Sequence, residues 1–168
     1  MLIHGYLPGC EYVNAHAVEI SAPAEEVWAA LPDLRSRAKD NRFFSILLKI
    51  ASLLRRDRVE SLTRVGRIEM REGAVLVGGD PPMFKVERVS EPAEVVIGGK
   101  HRFATYFLNF FVETAGTKSR LYNVTRAEFS HSALGRFYFA GVRMFHNMLV
   151  ESLLNSVKER VEAKSPIS

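Results

Sequence analysis

Histidine, tyrosine, amide and hydroxyl side chains are the groups in this chain that could do chemistry, and their spacing decides which kind. His4, His16, His101, His131 and His146 form neither an HExxH run nor a helical i,i+4 pair, so their spacing offers no metal site. The glycine pairs in "VGGD" (77–80) and "IGGK" (97–100) do not continue into a phosphate-binding loop and read as turn glycines. Ser45, Ser52 and Ser152 lack the G-x-S-x-G context of a hydrolase nucleophile. Cys10, the single cysteine, can form neither an internal disulfide nor a finger-type zinc site, and points to a reducing compartment, the cytoplasm. What remains is His146, one position past Phe145 in an apolar-periodic stretch, with Tyr106 and Tyr138 as polar handles. A near-neutral imidazole facing a cavity edge can move a proton; a helix-flank histidine and two core tyrosines explain the same residues without chemistry. These three are the catalytic candidates, and neither metal nor cofactor is expected.

Two consecutive segments carry a binding pattern. "RFATYFLNFFVET" (102–114) is apolar on both alternating faces, Thr105, Phe107 and Asn109 lying on one and Tyr106 on the other. A strand of that kind is covered on both faces or lines a pocket on one. In "SRLYNVTRAEF" (119–129), Arg120, Arg126 and Glu128 mark the solvent face, which places Leu121, Asn123 and Thr125 inside. An apolar wall interrupted by a few hydroxyl and amide groups suits a large greasy ligand with one polar end. Ordinary core, with Asn and Thr satisfied locally, is the plainer alternative. The residues assigned to ligand binding are Thr105, Phe107, Asn109, Asn123 and Thr125 on the strands, with Phe43, Leu47, Val142, His146 and Leu149 on helices.

The elements that must position them follow from periodicity. "EYVNAHAVEI" (11–20) alternates as a strand, with Tyr12, Asn14, His16, Val18 and Ile20 on one face. Pro23 suits the first turn of a helix, and Glu25 and Glu26 favour its positive end. Val27 and Leu31 face a core, and Pro32 stops the helix. A second helix spans roughly 42–55, apolar almost all round with basic ends. From Val59 the period becomes two, giving strand candidates at 61–70, 74–79, 83–90, 93–99, 102–114 and 119–129, punctuated by Gly73, Pro81-Pro82, Glu91-Pro92, Gly98-Gly99 and Ala115-Gly116. The segment from Leu134 to about Ala163 has helical spacing throughout and makes a rod of roughly 45 Å.

A chain of 168 residues, 47% hydrophobic and 25% charged, builds one globular core. No run of 18 apolar residues exists, and the first residues lack the basic start and apolar block of a signal peptide. The net charge of +4 is uneven: 35–58 carries +6, and the rest −2. Basicity confined to one segment argues against nucleic acid as a partner. The 41–56 segment is predicted to pack Phe43, Phe44, Leu47 and Ile50 over a pocket entrance while Arg42, Lys49, Arg55 and Arg56 stay in water. A transient membrane contact through those basic ends and a homodimer remain open.

The order of one strand, two short helices, a six-strand meander and one long helix resembles the helix-grip fold of the START-like superfamily, described as polyketide cyclase/dehydrase and lipid-transport proteins. "VEISAPAEEVWAAL" is similar to its opening strand and Pro-led helix, "KVERVSEPAEVVIGG" to its strand–acidic-Pro–strand unit, and "FFVETAGTKSRLYNVTRAEF" to its last hairpin. The resemblance implies an α+β fold: a seven-stranded curved antiparallel sheet wrapped around the C-terminal helix, with two short helices after the first strand. It implies a single domain over 11–163; residues 1–10 read as an N-terminal extension and "KSPIS" (164–168) as a disordered tail. It also implies a cavity for a hydrophobic or amphipathic small molecule of lipid, quinone or aromatic polyketide type. A cyclase/dehydratase-type enzyme and a protein-interaction module without ligand are the alternatives.

Overall fold

The computed structural model describes residues 5–33, 69–77, 84–101, 104–129 and 133–164. Six described strands, β1 (Tyr12–Ile20), β2 (Val75–Val77), β3 (Phe84–Ser90), β4 (Glu94–His101), β5 (Ala104–Ala115) and β6 (Lys118–Phe129), form one antiparallel sheet. Its order is β1-β6-β5-β4-β3-β2. The meander therefore runs inward from one edge, and β1 closes the other edge by pairing non-locally with β6, Tyr12 opposite Ala127 and Ile20 opposite Ser119. Helix α1 (Ala24–Ala30) follows β1, a 3-10 turn (Leu31–Asp33) continues it, and helix α2 (Ala133–Glu162) packs across the sheet. This is the helix-grip arrangement. The predicted helix at 42–55 and most of the predicted strand at 61–70 lie outside the described residues.

Local sequence explains the boundaries. Pro23 occupies the N-cap of α1 in an extended conformation and offers no side-chain cap, so Glu25 and Glu26 in the first turn supply its favourable electrostatics. A seven-residue helix is too short to stand alone; Val27 and Leu31, both essentially buried, hold it to the core. The β3–β4 turn contains a cis Glu91–Pro92 peptide, and Gly116, at φ 66°, starts the two-residue turn of the β5–β6 hairpin. Gly98 and Gly99 are not turn residues but lie inside β4. A side chain at Gly98 would meet the Glu87 side chain and the Phe107 ring at 2.7 Å, so the strand needs glycine there to let both lie across it.

The register separates the two faces of the sheet. Ile20, Leu121, Val112, Phe110, Val95 and Val86 point toward α2 and meet Val150, Leu154, Val157 and Val161 in one apolar cluster. The 5–10 segment lies against the opposite, outer face. There Tyr6 packs on Phe107 at 4.7 Å, and the Arg126 guanidinium donates to the carbonyls of Tyr6 and Leu7.

Candidate functional site

The helix and β1 run in the same direction along their interface. Asn147 meets Tyr12 and Asn14, Glu151 meets His16, and Lys158 and Glu162 meet the end of β1. Along this direction three elements change character together. The inner face of β1 passes from Tyr12, Asn14 and His16 to Val18 and Ile20. That of β6, read against its own direction, passes from Thr125 and Asn123 to Leu121. Helix α2 passes from His146 and Asn147 to Val150, Leu154 and Val157. Polar thus meets polar at one end of the interface and apolar meets apolar at the other.

The polar end holds two hydrogen-bonded groups side by side, one between β1 and α2 and one on β6. Asn14 Nδ2 donates to Asn147 Oδ1, and Tyr12 Oη donates to the same oxygen at 3.4 Å. Asn14 Nδ2 also lies 2.9 Å from His16 Nε2. An amide nitrogen only donates, so in this amide orientation His16 Nε2 is the acceptor; His16 Nδ1 lies 3.5 Å from Glu151 Oε1. On the neighbouring strand Thr125 Oγ1 donates to Asn123 Oδ1 at 3.0 Å, and Asn123 Nδ2 reaches the Asn109 carbonyl at 3.5 Å. Asn123 is fully buried and Thr125 nearly so.

His146 completes the cluster from the helix side, its ring edge-on to Tyr12 at 6.2 Å. Burial first, and the nearby His16 second, lower its pKa to about 4. At neutral pH it is an uncharged imidazole. Its Nε2 is buried without a hydrogen-bond partner among the described residues. A buried polar atom left unpaired costs free energy, so this nitrogen is a position where an added molecule's polar group would be stabilised. The described residues contain no grouping of three or more His, Cys, Asp or Glu able to hold a metal ion.

Of the sequence-predicted binding residues, Asn123, Thr125 and His146 converge here, and Leu149 is half-buried one helical turn beyond His146. Thr105, Phe107 and Asn109 do not converge with them. The β5–β6 register puts Ala104, Tyr106, Leu108, Phe110 and Val112 on the face that looks at α2, and these three on the outer face. A strand apolar on both faces cannot announce which one is inner, and here the outer face is filled in its own right. Tyr6 covers Phe107, Phe111 stacks on Tyr122 at 4.5 Å, and buried Asn109 donates to Glu94 Oε1 at 2.6 Å. Tyr106 does face inward, where its ring meets Phe84 at 5.1 Å. Phe43 and Leu47 lie outside the described residues, as do the side chains of Tyr138 and Val142 in α2.

Sequence reasoning did not assemble Tyr12, Asn14, His16, Asn147 and Glu151 into the site. The signal was present in β1, whose inner face alternates Tyr, Asn, His before turning aliphatic. The partners on α2 lie 133 positions away from Asn14 and 135 from Tyr12, beyond the reach of local spacing.

Residues 6–153 match the family described as protein of unknown function (DUF2867). No curated protein matches the chain. Among solved structures, a protein from Nitrosospira multiformis superposes with a TM-score of 0.57 at 17% identity, over 92% of this chain and 100% of that one. Norcoclaurine synthase of Thalictrum flavum, solved as a point mutant with a transition-state analogue, superposes with a TM-score of 0.53 at 14% identity, covering 92% and 96%. A START superfamily protein from Mycobacterium smegmatis gives a TM-score of 0.50 at 13% identity, covering 91% and 99%.

Proposed function

For this chain, which belongs to the DUF2867 family and has the helix-grip fold of the START-like superfamily, we propose binding of a hydrophobic or amphipathic small molecule between the sheet and α2. The observation that carries this reading is the partly to fully buried set of polar groups at one end of a mostly apolar interface. A protein that needed only a stable core would fill both ends with aliphatic side chains, since a buried polar group contributes little net stability even when paired. An apolar interface with a few convergent polar groups is how small-molecule sites fix the orientation of a ligand. Burial of the ligand's apolar surface, at roughly 25 cal/mol per Å², supplies the affinity, less the cost of ordering. Native mass spectrometry of gently purified protein, followed by organic extraction, tests it. A co-purifying apolar molecule is the expected result. Failure of every apolar probe in a broad screen to bind would remove the reading.

A second reading, acid–base catalysis on the bound molecule, is favoured by the Glu151–His16–Asn14 alignment. A carboxylate beside Nδ1 and an amide beside Nε2 resemble the way enzymes orient an imidazole. The norcoclaurine synthase relative supports the reading only in showing that this fold accommodates an enzyme. His146 fits it less well than His16, because an imidazole that stays uncharged far below neutral pH hydrogen-bonds rather than carries protons. The polyketide cyclase/dehydratase chemistry belongs to this second reading. A pH–rate profile on an aromatic polyketone discriminates it: a rate above background that His16→Ala abolishes supports catalysis, and background rates for both proteins exclude it.

A further inference from the structure

Resting on the ligand-binding reading of the polar end, we infer that this site takes an uncharged group that both donates and accepts hydrogen bonds, a hydroxyl or a primary amide, and discriminates against carboxylate and phosphate headgroups. The geometry of Asn14 carries the inference. Its nitrogen is engaged twice, by His16 Nε2 and by Asn147 Oδ1. Turning both amides over together with the other His16 tautomer exchanges the roles and again leaves one donor and one acceptor; in the arrangement of this structure, turning Asn14 alone would place its oxygen against two acceptors. The side of Asn14 left for a ligand is therefore its oxygen, an acceptor. On Asn147 the reverse holds. Its oxygen receives Asn14 and Tyr12, and its nitrogen, a donor, is left. Neighbouring residues thus present one acceptor and one donor, and His146 Nε2 adds a buried position that does either according to tautomer.

A hydroxyl or primary amide satisfies such a mixed set. A carboxylate or phosphate is acceptor-rich and would face the Asn14 oxygen as a second acceptor. Charge works in the same direction. Among the described residues, the titratable groups in contact at the site are His16, Tyr12, His146 and Glu151, and Glu151 is itself the carboxylate beside His16; Arg143, one helical turn before Asn147, is exposed to solvent. Burial already holds His146 uncharged. The same poor solvation penalises an incoming anion, whose transfer from water costs far more than that of a hydroxyl.

The test is competition between 10-carbon probes for the site of a neutral fluorescent dye, Nile red, using decanol, decanamide, decanoate and decyl phosphate, which share a tail and differ in headgroup. Decanol and decanamide are expected to displace the dye at pH 7 at least about 10-fold more effectively than decanoate or decyl phosphate, a gap of one to a few unpaired or charged contacts. Decanoate should gain as pH falls toward the carboxyl range, and decanol should not change in parallel. His146→Phe, which keeps a ring in place, should weaken decanol roughly 3- to 10-fold and leave decanoate alone. Should that variant fail to fold, the pH dependence with unaltered protein decides. Decanoate matching decanol at pH 7 overturns the headgroup inference while leaving ligand binding intact. Absence of dye and decanol binding alike overturns both.

Discussion

At the Ile20 end of the helix–sheet interface, Leu121, Val150, Leu154 and Val157 are almost wholly buried in one apolar cluster, with only the small hydroxyls of Ser119 and Ser156 buried beside them among the described residues. At the Tyr12 end of the same strands and the same helix, the buried groups are amides, a hydroxyl and an imidazole. Backbone geometry does not distinguish the two ends: β1 and β6 pair without a register shift from Tyr12 to Ile20. The difference lies in side chains alone, and it separates two tasks. The apolar end, tied at its rim by Ser119 to the Ala22 carbonyl and by Glu162 to the Ser21 amide, holds the helix on the sheet. The polar end forgoes that stabilisation for directional groups, which are the ones the proposed ligand would use.

The sharpest way to break this comparison is to cut each end in turn. Leu154→Ala at the apolar end should cost about 2–5 kcal/mol, the removed side chain's burial plus the cavity it leaves, read as a lowered urea midpoint. If the loss is below about 1 kcal/mol, the apolar end is not what fastens α2.

Acid is the second probe, and it acts on the polar end. An unfolded-chain histidine titrates near 6.5 and folded His146 near 4. Between those values the unfolded chain holds a proton that the folded chain does not, so stability falls as pH drops through the window. The penalty is absent above the unfolded value and complete below the folded one, at most about 3 kcal/mol. Unfolding free energies of the native chain and His146→Phe, measured from pH 7 to 3.5, should therefore show the native chain losing up to about 3 kcal/mol relative to the variant as pH falls. Parallel curves would show that His146 is solvated rather than buried.

A third cut removes one member of a buried pair. Asn123→Ala leaves the Thr125 hydroxyl without its acceptor, at a cost of about 1–3 kcal/mol, visible in the same urea titration. A change indistinguishable from zero would mean that water replaces the amide, and that the polar end is wetter than its burial implies.

How far this division could be read from sequence depends on where each strand advertises its faces. β6 did so, because Arg120 and Glu128 are charged on one side, and the inner placement of Leu121, Asn123 and Thr125 follows. The strand limits were legible from their punctuation, as at Glu91-Pro92 and Gly116. β5 concealed its faces behind aromatics on both sides, so Thr105, Phe107 and Asn109 were assigned to the interior that Tyr106 and Phe110 occupy. Only pairing with β6 resolves that ambiguity, since a slip of one residue exchanges the faces. Gly98 and Gly99 read as a turn because nothing local announces that Phe107 and Glu87 must cross a bare backbone. The candidate site was half legible for the same reason. Its β6 and His146 members carry their own signals, whereas Asn14 and Asn147 acquire meaning only when the fold brings them together.

The smallest effect on stability is the most informative. Replacing Asn123 and Thr125 together, as Asn123→Leu with Thr125→Val, removes donor and acceptor at once and leaves no orphan within the pair. Thr125→Val keeps the side chain's size, and Asn123→Leu keeps its branching and number of heavy atoms while adding some volume. Removing both partners of a buried hydrogen bond in favour of apolar groups of similar shape is close to neutral, so the double variant should unfold within about 1 kcal/mol of the native chain, well above Asn123→Ala. Its ligand behaviour should change nonetheless. With the polar end narrowed, decanol should lose its advantage over decane in displacing a bound dye, while apolar binding persists. If the double variant is as unstable as Asn123→Ala, the network is structural. If it is stable and still prefers decanol, the Asn14–Asn147–His146 side of the site suffices to orient the ligand and the β6 pair does not take part.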